Sequence, residues 1–398
     1  MNFCILSNGY GEDRSAALIA EEMRRLRPGM TIVAAPLVTG GEEFTKRGFD
    51  AVWSGSFPPS GGFPTESLAT FLRDISLRYT RQYFEYTQHL ALHRQEFDDA
   101  FIVGDVFLLV LAAAGLKRRF PFLALAKSSH MRPHNAVERM IMRRYAAKVL
   151  TRDQYTAEVL RRQGVNAVFY GNPIMDGLEP PASPPPVPAP PLVTLLPGSR
   201  DEAHLNLAKI LAVVEIIKAP ANYACALSPV LNMDLITGTA SAMGWETKDS
   251  PAGNGMRMLT LKKGDKSVIL GQNFFQTVLN AATVVIGMAG TANEQAAGLG
   301  KPVVSFAGCG PQTTPRRMRD QEKLLGGAVT YVKDFPGGVA AEVERLLADP
   351  AERERRGRIG RERMGPPGAS RRIAEYLISR LQEATATAKP AEQFPAGI

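Results

Sequence analysis

The amino-acid sequence predicts an α/β protein with two domains, each built on a parallel sheet. Apolar runs typical of strands buried on both faces are followed repeatedly by a glycine turn and a helical pattern, as in βαβ units. This order occurs in both halves of the chain, and a proline-rich segment at 180–191 lies between the halves. The 398 residues suffice for two domains of ordinary size. We therefore expect two Rossmann-like domains that face each other across a cleft, with ligands at the carboxyl ends of the strands.

The first half opens with a predicted strand over 2–7, a glycine turn over 8–13 and a helix over 14–27, whose apolar residues recur along one face. A long helical pattern over 63–94 is rich in aromatic and arginine residues, and it fits either a helical layer over the sheet or a face for a lipid surface. The other predicted elements of this half are strands over 31–38, 98–103, 120–126, 149–153 and 167–170 and a helix over 138–148.

The second half repeats the pattern. The predicted strand over 192–196 leads into the turn 197–200 and a helix, and the strand over 283–288 leads into a short helix that ends at Gly300 and Pro302. Further strands are predicted over 224–229, 268–270 and 303–306, and a last helix over 370–381.

The proline segment 180–191 sets the expected domain boundaries, because a proline run this dense forms neither helix nor central strand and makes a stiff linker. We expect a first domain over 1–179 and a second over 192–368. A helix over 369–383 is expected to cross back to the first domain, and the last residues, 384–398, are expected to be disordered.

The charge balance favours an anionic partner. Lys and Arg outnumber Asp and Glu by 47 to 39, which gives a formal net charge of +8. A phosphate-bearing ligand or an acidic membrane surface would suit this surplus. Nucleic acid is disfavoured as a partner, because the arginines are scattered and no aromatic-basic module such as an RNA-recognition signature is present.

Three features bear on the cellular compartment. Cys4, Cys225 and Cys309 lie far apart in the sequence and are predicted to be reduced and buried. The first residues form a strand pattern rather than a signal peptide. The longest apolar stretch, 100–116, is interrupted by Gly104 and Asp105, so a strand, a turn and a helix explain it better than a membrane span. We expect a cytoplasmic protein that contacts a membrane at its inner face, if at all, without crossing it.

Glycine turns follow predicted strands at 8–11, 197–200 and 289–291, and each precedes a helix whose first N–H groups are suited to bind phosphate. Arg14 occupies the position of the third glycine in a Gly-x-Gly-x-x-Gly pattern, which disfavours a dinucleotide cofactor. No P-loop, Asp-x-Asp or His-Glu-x-x-His pattern occurs, so the sequence requires neither a metal nor a bound cofactor.

Two of these turns also fit a capping box, Ser199-x-x-Glu202 and Thr291-x-x-Glu294, in which the glutamate ties back the start of the helix. The alternative is that each turn holds a phosphate. Arg200 favours that alternative at the first of them, because a cation at the first helical position is electrostatically unfavourable unless an anion is bound.

The sequences LLPGSR (195–200) and GTANEQAAGLGKPVV (290–304) resemble the donor half of lipid-A-disaccharide synthase and its relatives, which are GT-B glycosyltransferases that use UDP-sugars. The segment 127–178 is similar to the part of this family that leads out of the acceptor domain. The resemblance covers residues 1 to about 380, and it fits the synthase-related group better than the synthase itself.

The resemblance implies a donor site in the second domain. Arg200 would hold the diphosphate beside Gly198 and Ser199, and Glu294 would accept hydrogen bonds from the ribose. The backbone N–H groups of Gly290, Thr291 and Ala292 would also meet the diphosphate. Gln321 resembles a glutamine that many GT-B enzymes direct at the donor sugar, although a glutamine on a helix surface is an equal interpretation.

The acceptor side is expected near the first glycine turn, with Asn8, Gly9 and Gly11. Asp105 is the first candidate for the catalytic base, and a structural aspartate in a turn is the alternative. The family has a second aspartate shortly after this turn, whereas this chain has the apolar residues 106–109. The alternative bases are therefore Glu12, Asp13 and His130, although His130 and His134 also fit surface positions beside Arg132.

The sequence thus favours a metal-independent, inverting glycosyltransferase that moves an N-acetylglucosamine-type sugar or a hexose from a UDP-sugar to a lipid-linked or amphipathic acceptor. The alternatives are an isomerase similar to UDP-N-acetylglucosamine 2-epimerase and a catalytically inactive binder of nucleotide sugars.

Overall fold

The computed structural model describes residues 2–56, 79–250 and 258–387, and the chain divides into two units. Unit 1 combines Met1–Asp176 with the carboxyl-terminal segment from Pro367, and unit 2 is Gly177–Pro366. The proline-rich residues 180–191 belong to unit 2 and contain neither helix nor strand. Asn222 binds this segment through a 2.8 Å hydrogen bond from its side-chain Nδ2 to the Ala189 carbonyl.

Unit 1 contains a seven-stranded, fully parallel sheet in the order β3-β2-β1-β4-β5-β6-β7. The first strand therefore pairs with β2 on one side and with β4 on the other, so the strand order reverses between β1 and β4. The strands are β1 Asn2–Ser7, β2 Thr31–Pro36, β3 Asp50–Ala51, β4 Asp99–Gly104, β5 Phe120–Ala124, β6 Ala146–Thr151 and β7 Ala167–Val168.

Six α-helices accompany this sheet among the described residues before the proline-rich segment. They are α1 Tyr10–Leu26, α2 Glu42–Thr45, α3 Tyr79–Leu92, α4 Val106–Leu116, α5 Ala136–Tyr145 and α6 Gln154–Arg162. All six residues of β4 are buried, which is the pattern of a strand covered by helices on both faces.

Unit 2 contains an eight-stranded sheet in the order β10-β11-β12-β9-β8-β13-β14-β15. It is parallel except that β11 runs antiparallel to both of its neighbours. The order reverses between β8 and β13, because β8 pairs with β9 on one side and with β13 on the other. The strands are β8 Leu192–Leu196, β9 Asn222–Leu227, β10 Glu246–Ser250, β11 Met258–Lys263, β12 Lys266–Gln272, β13 Val284–Gly287, β14 Val303–Ser305 and β15 Val329–Tyr331.

The helices of the second part of the chain are α7 Ala203–Ile216, α8 Met233–Ala242, α9 Phe275–Ala281, α10 Thr291–Gly298, α11 Pro315–Leu325, α12 Gly337–Ala348, α13 Pro350–Met364 and α14 Ala369–Thr387. Helix α14 belongs to unit 1, where Ile373 and Leu377 pack with Ile19 of α1. Its Arg380 Nε lies 2.9 Å from Asp99 Oδ2. The helix continues to Thr387, four residues into the segment expected to be disordered, and residues 388–398 lie outside the described part of the chain.

Two helices of unit 1 have bounds that differ from those predicted. Helix α1 begins at Tyr10 instead of residue 14, because Gly9 in extended conformation is its N-cap and the predicted turn is largely its first turn. The predicted helix over 138–148 ends at Tyr145, since Ala146 adopts extended dihedral angles and starts β6.

The aromatic segment expected over 63–94 is described only from residue 79. In that part, Tyr83 and Tyr86 point into the core, and the Tyr86 hydroxyl donates to the Ala35 carbonyl at 2.7 Å. Phe84 is 63% exposed. Helix α3 is therefore a helical layer over the sheet, and Tyr83 and Tyr86 are not available to a lipid surface.

Two of the three cysteines lie in strands. Cys4 and Cys225 are fully buried and reduced, and burial raises the pKa of Cys4 to about 12. Cys309 is reduced but only partly buried, contrary to the prediction, because it lies in the loop that follows β14. No helix in the described ranges is long and apolar enough to cross a bilayer.

Gly287 at the end of β13 has no space for a side chain, because a Cβ there would lie 2.0 Å from Oδ1 of the buried Asn293. We expect Gly287→Ala to lower the free energy of unfolding of unit 2 by about 1–3 kcal/mol through overpacking. The control is Gly238→Ala in α8, where a Cβ would meet nothing within 4 Å. That change should be neutral or stabilise by roughly 0.5–1 kcal/mol. Urea unfolding of both variants measures the difference, and equal midpoints would contradict the close packing at Gly287.

Candidate active site

Two glycine turns of unit 2 leave neighbouring strands at the same edge of the sheet. The turn after β8 contains Gly198, and the turn after β13 contains Gly290. Gly198 has a φ of +104°, which favours glycine, and a Cβ there would lie 3.5 Å from the Met288 carbonyl oxygen. The two turns are thus adjacent at the point where the strand order reverses, which is the usual ligand position in open α/β sheets.

A buried asparagine holds the first turn. Asn206 of α7 donates from Nδ2 to the Pro197 carbonyl at 3.2 Å and accepts the Cys309 N–H at 2.8 Å on Oδ1. The loop after β14 is thereby fixed beside the turn after β8. Asn206 was not predicted from the sequence, although its spacing from the apolar Ile210 and Val213 marks a polar residue on the buried helix face.

Two buried amides hold the second turn. Gln321 of α11 donates from Nε2 to the carbonyls of Gly290 and Ala289, at 2.9 and 3.2 Å. Its Oε1 accepts from Asn293 Nδ2 at 2.8 Å, and the same nitrogen lies 3.1 Å from the Gly287 carbonyl. Gln321 is therefore not a residue of the helix surface. Its side chain binds the carbonyl groups of the turn. Any effect of Gln321 on a bound donor sugar would therefore be indirect, through the shape of that turn.

Arg200 lies in the first turn, but not where the sequence predicted it. Helix α7 begins at Ala203, whose N–H donates to the Arg200 carbonyl at 2.9 Å, and Glu202 occupies the N-cap without a side-chain capping bond. The predicted capping box from Ser199 to Glu202 is therefore wrong, and Arg200 precedes the first helical position by three residues. Ser199 and Arg200 are both exposed in the turn.

The capping box predicted at Thr291 is also wrong. Gly290 is the N-cap of α10, so Asn293 takes the third helical position and Glu294 the fourth, one residue too late for a capping box. Gly290 and Thr291 are exposed, and Ala292 and Glu294 are partly buried in the first helical turn. The first N–H groups of such a helix have no acceptor within the helix.

The reversal point of unit 1 joins Asn8 to Asp105. Asn8 follows β1, Asp105 follows the neighbouring β4, and Asn8 Nδ2 donates to Asp105 Oδ1 at 2.8 Å. The same oxygen accepts the N–H groups of Phe107 and Leu108 at 3.1 and 3.2 Å, so Asp105 is the N-cap of α4. Asp105 therefore has the structural role in a turn that the sequence left open as the alternative to a catalytic base.

Two other candidate bases lie in the first turn of α1. Burial raises the pKa of Glu12 from 4.5 to about 7, a backbone hydrogen bond and Arg152 oppose this rise, and the charges of Asp13 and Asp105 add to it. Burial raises the pKa of Asp13 to about 6, although a hydrogen bond from the Thr39 hydroxyl lowers it. Glu12 is partly exposed, whereas Asp13 is buried.

The remaining acceptor-side candidates have different surroundings. Gly9 is the N-cap of α1, while Gly11 lies inside that helix where a Cβ would meet nothing within 4 Å. His130 stacks on Tyr155 at 4.5 Å between ring centroids, and its Nε2 lies 3.9 Å from Asp153 Oδ1. His134 is only 5% exposed, so its predicted surface position is wrong.

Within residues 2–56, 79–250 and 258–387, no three His, Cys, Asp or Glu side chains are grouped as metal ligands. The polar groups of both reversal points are instead backbone N–H groups, amides, carboxylates and arginines. Such a set is suited to bind an anion in unit 2 and to accept a proton in unit 1.

Comparison with known proteins gives structural relatives only. No protein-family model matches the chain, and no curated protein matches it. Two similar solved structures are glycosyltransferases. The calicheamicin glycosyltransferase CalG4 is 15% identical with a TM-score of 0.60, covering 98% of this chain and 99% of its own. The glycotransferase of kitacinnamycin is 18% identical with a TM-score of 0.60, covering 96% and 98%.

A third similar structure is the UDP-GlcNAc 2-epimerase from Neisseria meningitidis bound to UDP-GlcNAc. It is 14% identical with a TM-score of 0.56, covering 95% of this chain and 100% of its own. At these identities the likeness shows the fold alone. The fold predicted from the sequence is confirmed: the chain has the GT-B architecture, with two Rossmann-like units that carry predominantly parallel sheets.

Proposed function

We propose that the protein is an inverting glycosyltransferase that moves a sugar from a UDP-sugar to a lipid-linked or amphipathic acceptor. The observation that carries this proposal is the pair of adjacent turns in unit 2, each fixed by buried amides beside exposed Arg200 and the start of α10. The resemblance of both turns to the lipid-A-disaccharide synthase-related group supports the same substrate class.

The donor site would stabilise the leaving diphosphate without a metal. As the acceptor oxygen forms its bond to the anomeric carbon, the bond from that carbon to the phosphate oxygen breaks and negative charge grows on UDP. The N–H groups of Gly290, Thr291 and Ala292 and the guanidinium of Arg200 would meet this charge, and preorganised donors of this kind cost no rearrangement during the reaction. Gly198, Ser199 and Glu294 would complete the donor site.

We propose Glu12, rather than Asp105, as the base that takes the proton of the acceptor hydroxyl. A base works best when its pKa lies near the operating pH, and the pKa of Glu12 is about 7. Asp105 Oδ1 already accepts three hydrogen bonds, two of which cap α4. In this proposal Asp105 and Asn8 fix the strand ends, and the charge of Asp105 helps to raise the pKa of Glu12.

Helix α5 supports contact with an anionic membrane that would supply such an acceptor. Val137 and Met140 are 59% and 57% exposed on one face of this helix. Arg143 and Arg144 are exposed as well, and neither forms an ion pair with a described carboxylate. The acidic residue of the helix, Glu138, is buried against Lys127. The exposed face therefore combines apolar and positive groups, as interfacial helices do.

The likeness to UDP-GlcNAc 2-epimerases supports a second candidate, an isomerase that uses the same donor site. Such an enzyme would convert a UDP-sugar alone into an epimer, with no acceptor. A catalytically inactive binder of nucleotide sugars would bind UDP compounds and form no product. Product analysis with and without an acceptor separates the three functions.

We expect UDP, UDP-N-acetylglucosamine or UDP-glucose to stabilise the protein in thermal unfolding. A ligand at about 100 times its Kd adds roughly 2.7 kcal/mol. Arg200→Ala should remove most of this shift, because the diphosphate loses its cation. The matched control is Arg358→Ala, an exposed arginine of α13 in the same unit, which should keep the shift. A thermal shift with NAD alone would contradict the assignment of a UDP-sugar donor site. The absence of a thermal shift with every UDP compound would contradict it as well.

We expect UDP release from the stabilising donor, with solubilised membrane lipids as acceptors, to depend on Glu12. Its carboxylate must be deprotonated, so the rate should fall about tenfold per pH unit below pH 7. Glu12→Gln should lower the rate roughly 100- to 10,000-fold and leave the thermal shift with UDP intact. Glu22→Gln, in the same helix but paired with Arg25, is the control. An unchanged rate in Glu12→Gln would exclude Glu12 as the base, and an epimer formed without lipid would favour the isomerase.

We expect the protein to sediment with vesicles that contain phosphatidylglycerol and not with phosphatidylcholine vesicles. Each arginine near an anionic surface contributes about 1 kcal/mol, so replacing Arg143 and Arg144 by alanine should weaken binding roughly 30-fold. Arg358→Ala serves as the control. Equal binding to both kinds of vesicle, or no loss in the double variant, would count against a membrane face on α5.

A further inference from the structure

A small cavity lies beyond the carboxyl ends of β4 and β5 in unit 1. Its polar lining consists of Asp105, Lys127, His134 and Glu138, and the rest is backbone and apolar side chains such as Phe122. The cavity offers about 10 Å³ to the centre of a water molecule, which is roughly room for one. Because it shares Asp105 with the reversal point of the sheet, it belongs to the acceptor side of the molecule.

Most polar atoms of this lining have partners within the protein. Glu138 binds Lys127 and also accepts the Asn135 N–H at 2.8 Å as part of the capping box of α5. Asp105 Oδ1 accepts three hydrogen bonds, as described above. His134 differs, since its Nδ1 is buried and has no hydrogen-bond partner in the described part of the protein.

An unpaired polar atom in this position is costly. A buried polar group without a partner destabilises a protein, and most such atoms in native proteins are bound by a protein group or by water. His134 as a whole is 5% exposed, so bulk solvent does not supply a hydrogen-bond partner for its Nδ1. Since His134 lines the cavity, an occupant of the cavity is the candidate partner of this atom.

The size and charge of the lining define the occupant. The cavity admits one oxygen atom, and its two carboxylates, Asp105 and Glu138, outnumber its one cation, Lys127, so an anionic oxygen is disfavoured. Burial lowers the pKa of His134 to about 4, and the charge of Lys127 adds to this effect while that of Glu138 opposes it. The imidazole is therefore neutral near pH 7 and forms one hydrogen bond at Nδ1 with a neutral partner. The matching chemistry is a single hydroxyl group, from water or from an alcohol.

We propose that this cavity binds one hydroxyl group through Nδ1 of His134, and that His134 positions the reacting hydroxyl of the acceptor. The second part rests on the proposed function, and the binding of a hydroxyl in the cavity does not. Water occupies the cavity until an acceptor hydroxyl displaces it. His134 is then a positioning residue, because proton removal is assigned to Glu12.

Deuteron magnetic relaxation dispersion of the solvent, which counts long-lived buried waters, tests the site on the full chain. His134→Phe keeps a ring of similar shape without nitrogen, and so removes the unpaired Nδ1 atom while Lys127 and Glu138 remain bound to each other. We expect this variant to lose about one long-lived water. His134→Asn keeps a polar atom near the position of Nδ1 and should retain the water. His204→Phe, at a partly exposed histidine of unit 2, is the control. Equal counts in wild type and His134→Phe would overturn the proposal.

If His134→Phe fails to fold, nitrogen NMR of the histidines in the wild-type protein tests the proposal instead. A chemical shift of His134 Nδ1 typical of a hydrogen-bonded nitrogen is expected, and the shift of a nitrogen without a partner would overturn the proposal. Methanol then separates the two sources of the hydroxyl. Loss of the long-lived water on titration with methanol supports entry of an alcohol. An unchanged water count would overturn the assignment to the acceptor.

The rate of UDP release distinguishes this site from the proposed function. We expect a loss of at least tenfold in His134→Phe and substantial recovery in His134→Asn, which a purely structural role of the ring would not give. No recovery would overturn the positioning role. If the water is lost in His134→Phe while the wild-type protein releases no UDP under any condition, the cavity site stands and the glycosyltransferase proposal fails.

Discussion

In each unit, a buried asparagine lies against a glycine that ends an interior strand, and neither glycine has room for a Cβ. Asn8 fills this space at Gly104, and Asn293 fills it at Gly287. A buried amide is costly without hydrogen bonds, and the side-chain Nδ2 of each asparagine binds the structure that follows the strand. Asn8 donates to Asp105, the N-cap of α4, and Asn293 donates to Gln321, which holds the turn before α10.

The shapes of both candidate sites thus depend on neutral buried amides rather than on ion pairs. Asn206 has the same role at the turn after β8. Charged residues such as Arg200 are exposed and rest on a backbone that these amides fix. This division would suit the proposed anion site, because the groups that set the geometry do not change their charge when a ligand arrives.

The strands could be predicted from the sequence, because burial on both faces requires continuous apolar runs. The strand over 2–7 has the predicted bounds, and the βαβ pattern around 283–306 is present. The β10–β11 hairpin escaped prediction, since β10 is a polar strand at the sheet edge with no buried residue. Helix starts at glycine turns were misplaced by one to four residues, because a glycine serves equally as part of a turn or as an N-cap.

The positions of the candidate residues at turns were predictable, but their side-chain contacts were not. The sequence placed Arg200, Gly290 and Asp105 at strand ends, which follows from the alternation of strand and turn. The contacts of Gln321 and Asn206 with backbone carbonyls depend on which loops meet in space, and no local pattern encodes that. The burial of His134 escaped notice for a similar reason, since Lys127 and Glu138 that surround it are polar in the sequence and paired only in the fold.

The return of the chain to unit 1 through α14 has a consequence for synthesis on the ribosome. Unit 2 is continuous, so all of its core residues have been made once Pro366 is in the chain. Unit 1 begins first but is completed last, because Ile373, Leu377 and Leu381 fill its core beside α1. During translation, the apolar surface of α1 therefore stays uncovered by the carboxyl-terminal helix while about 190 residues of unit 2 are added. This interval lasts tens of seconds at bacterial or eukaryotic rates of synthesis. The domain made first is the one that needs protection longest.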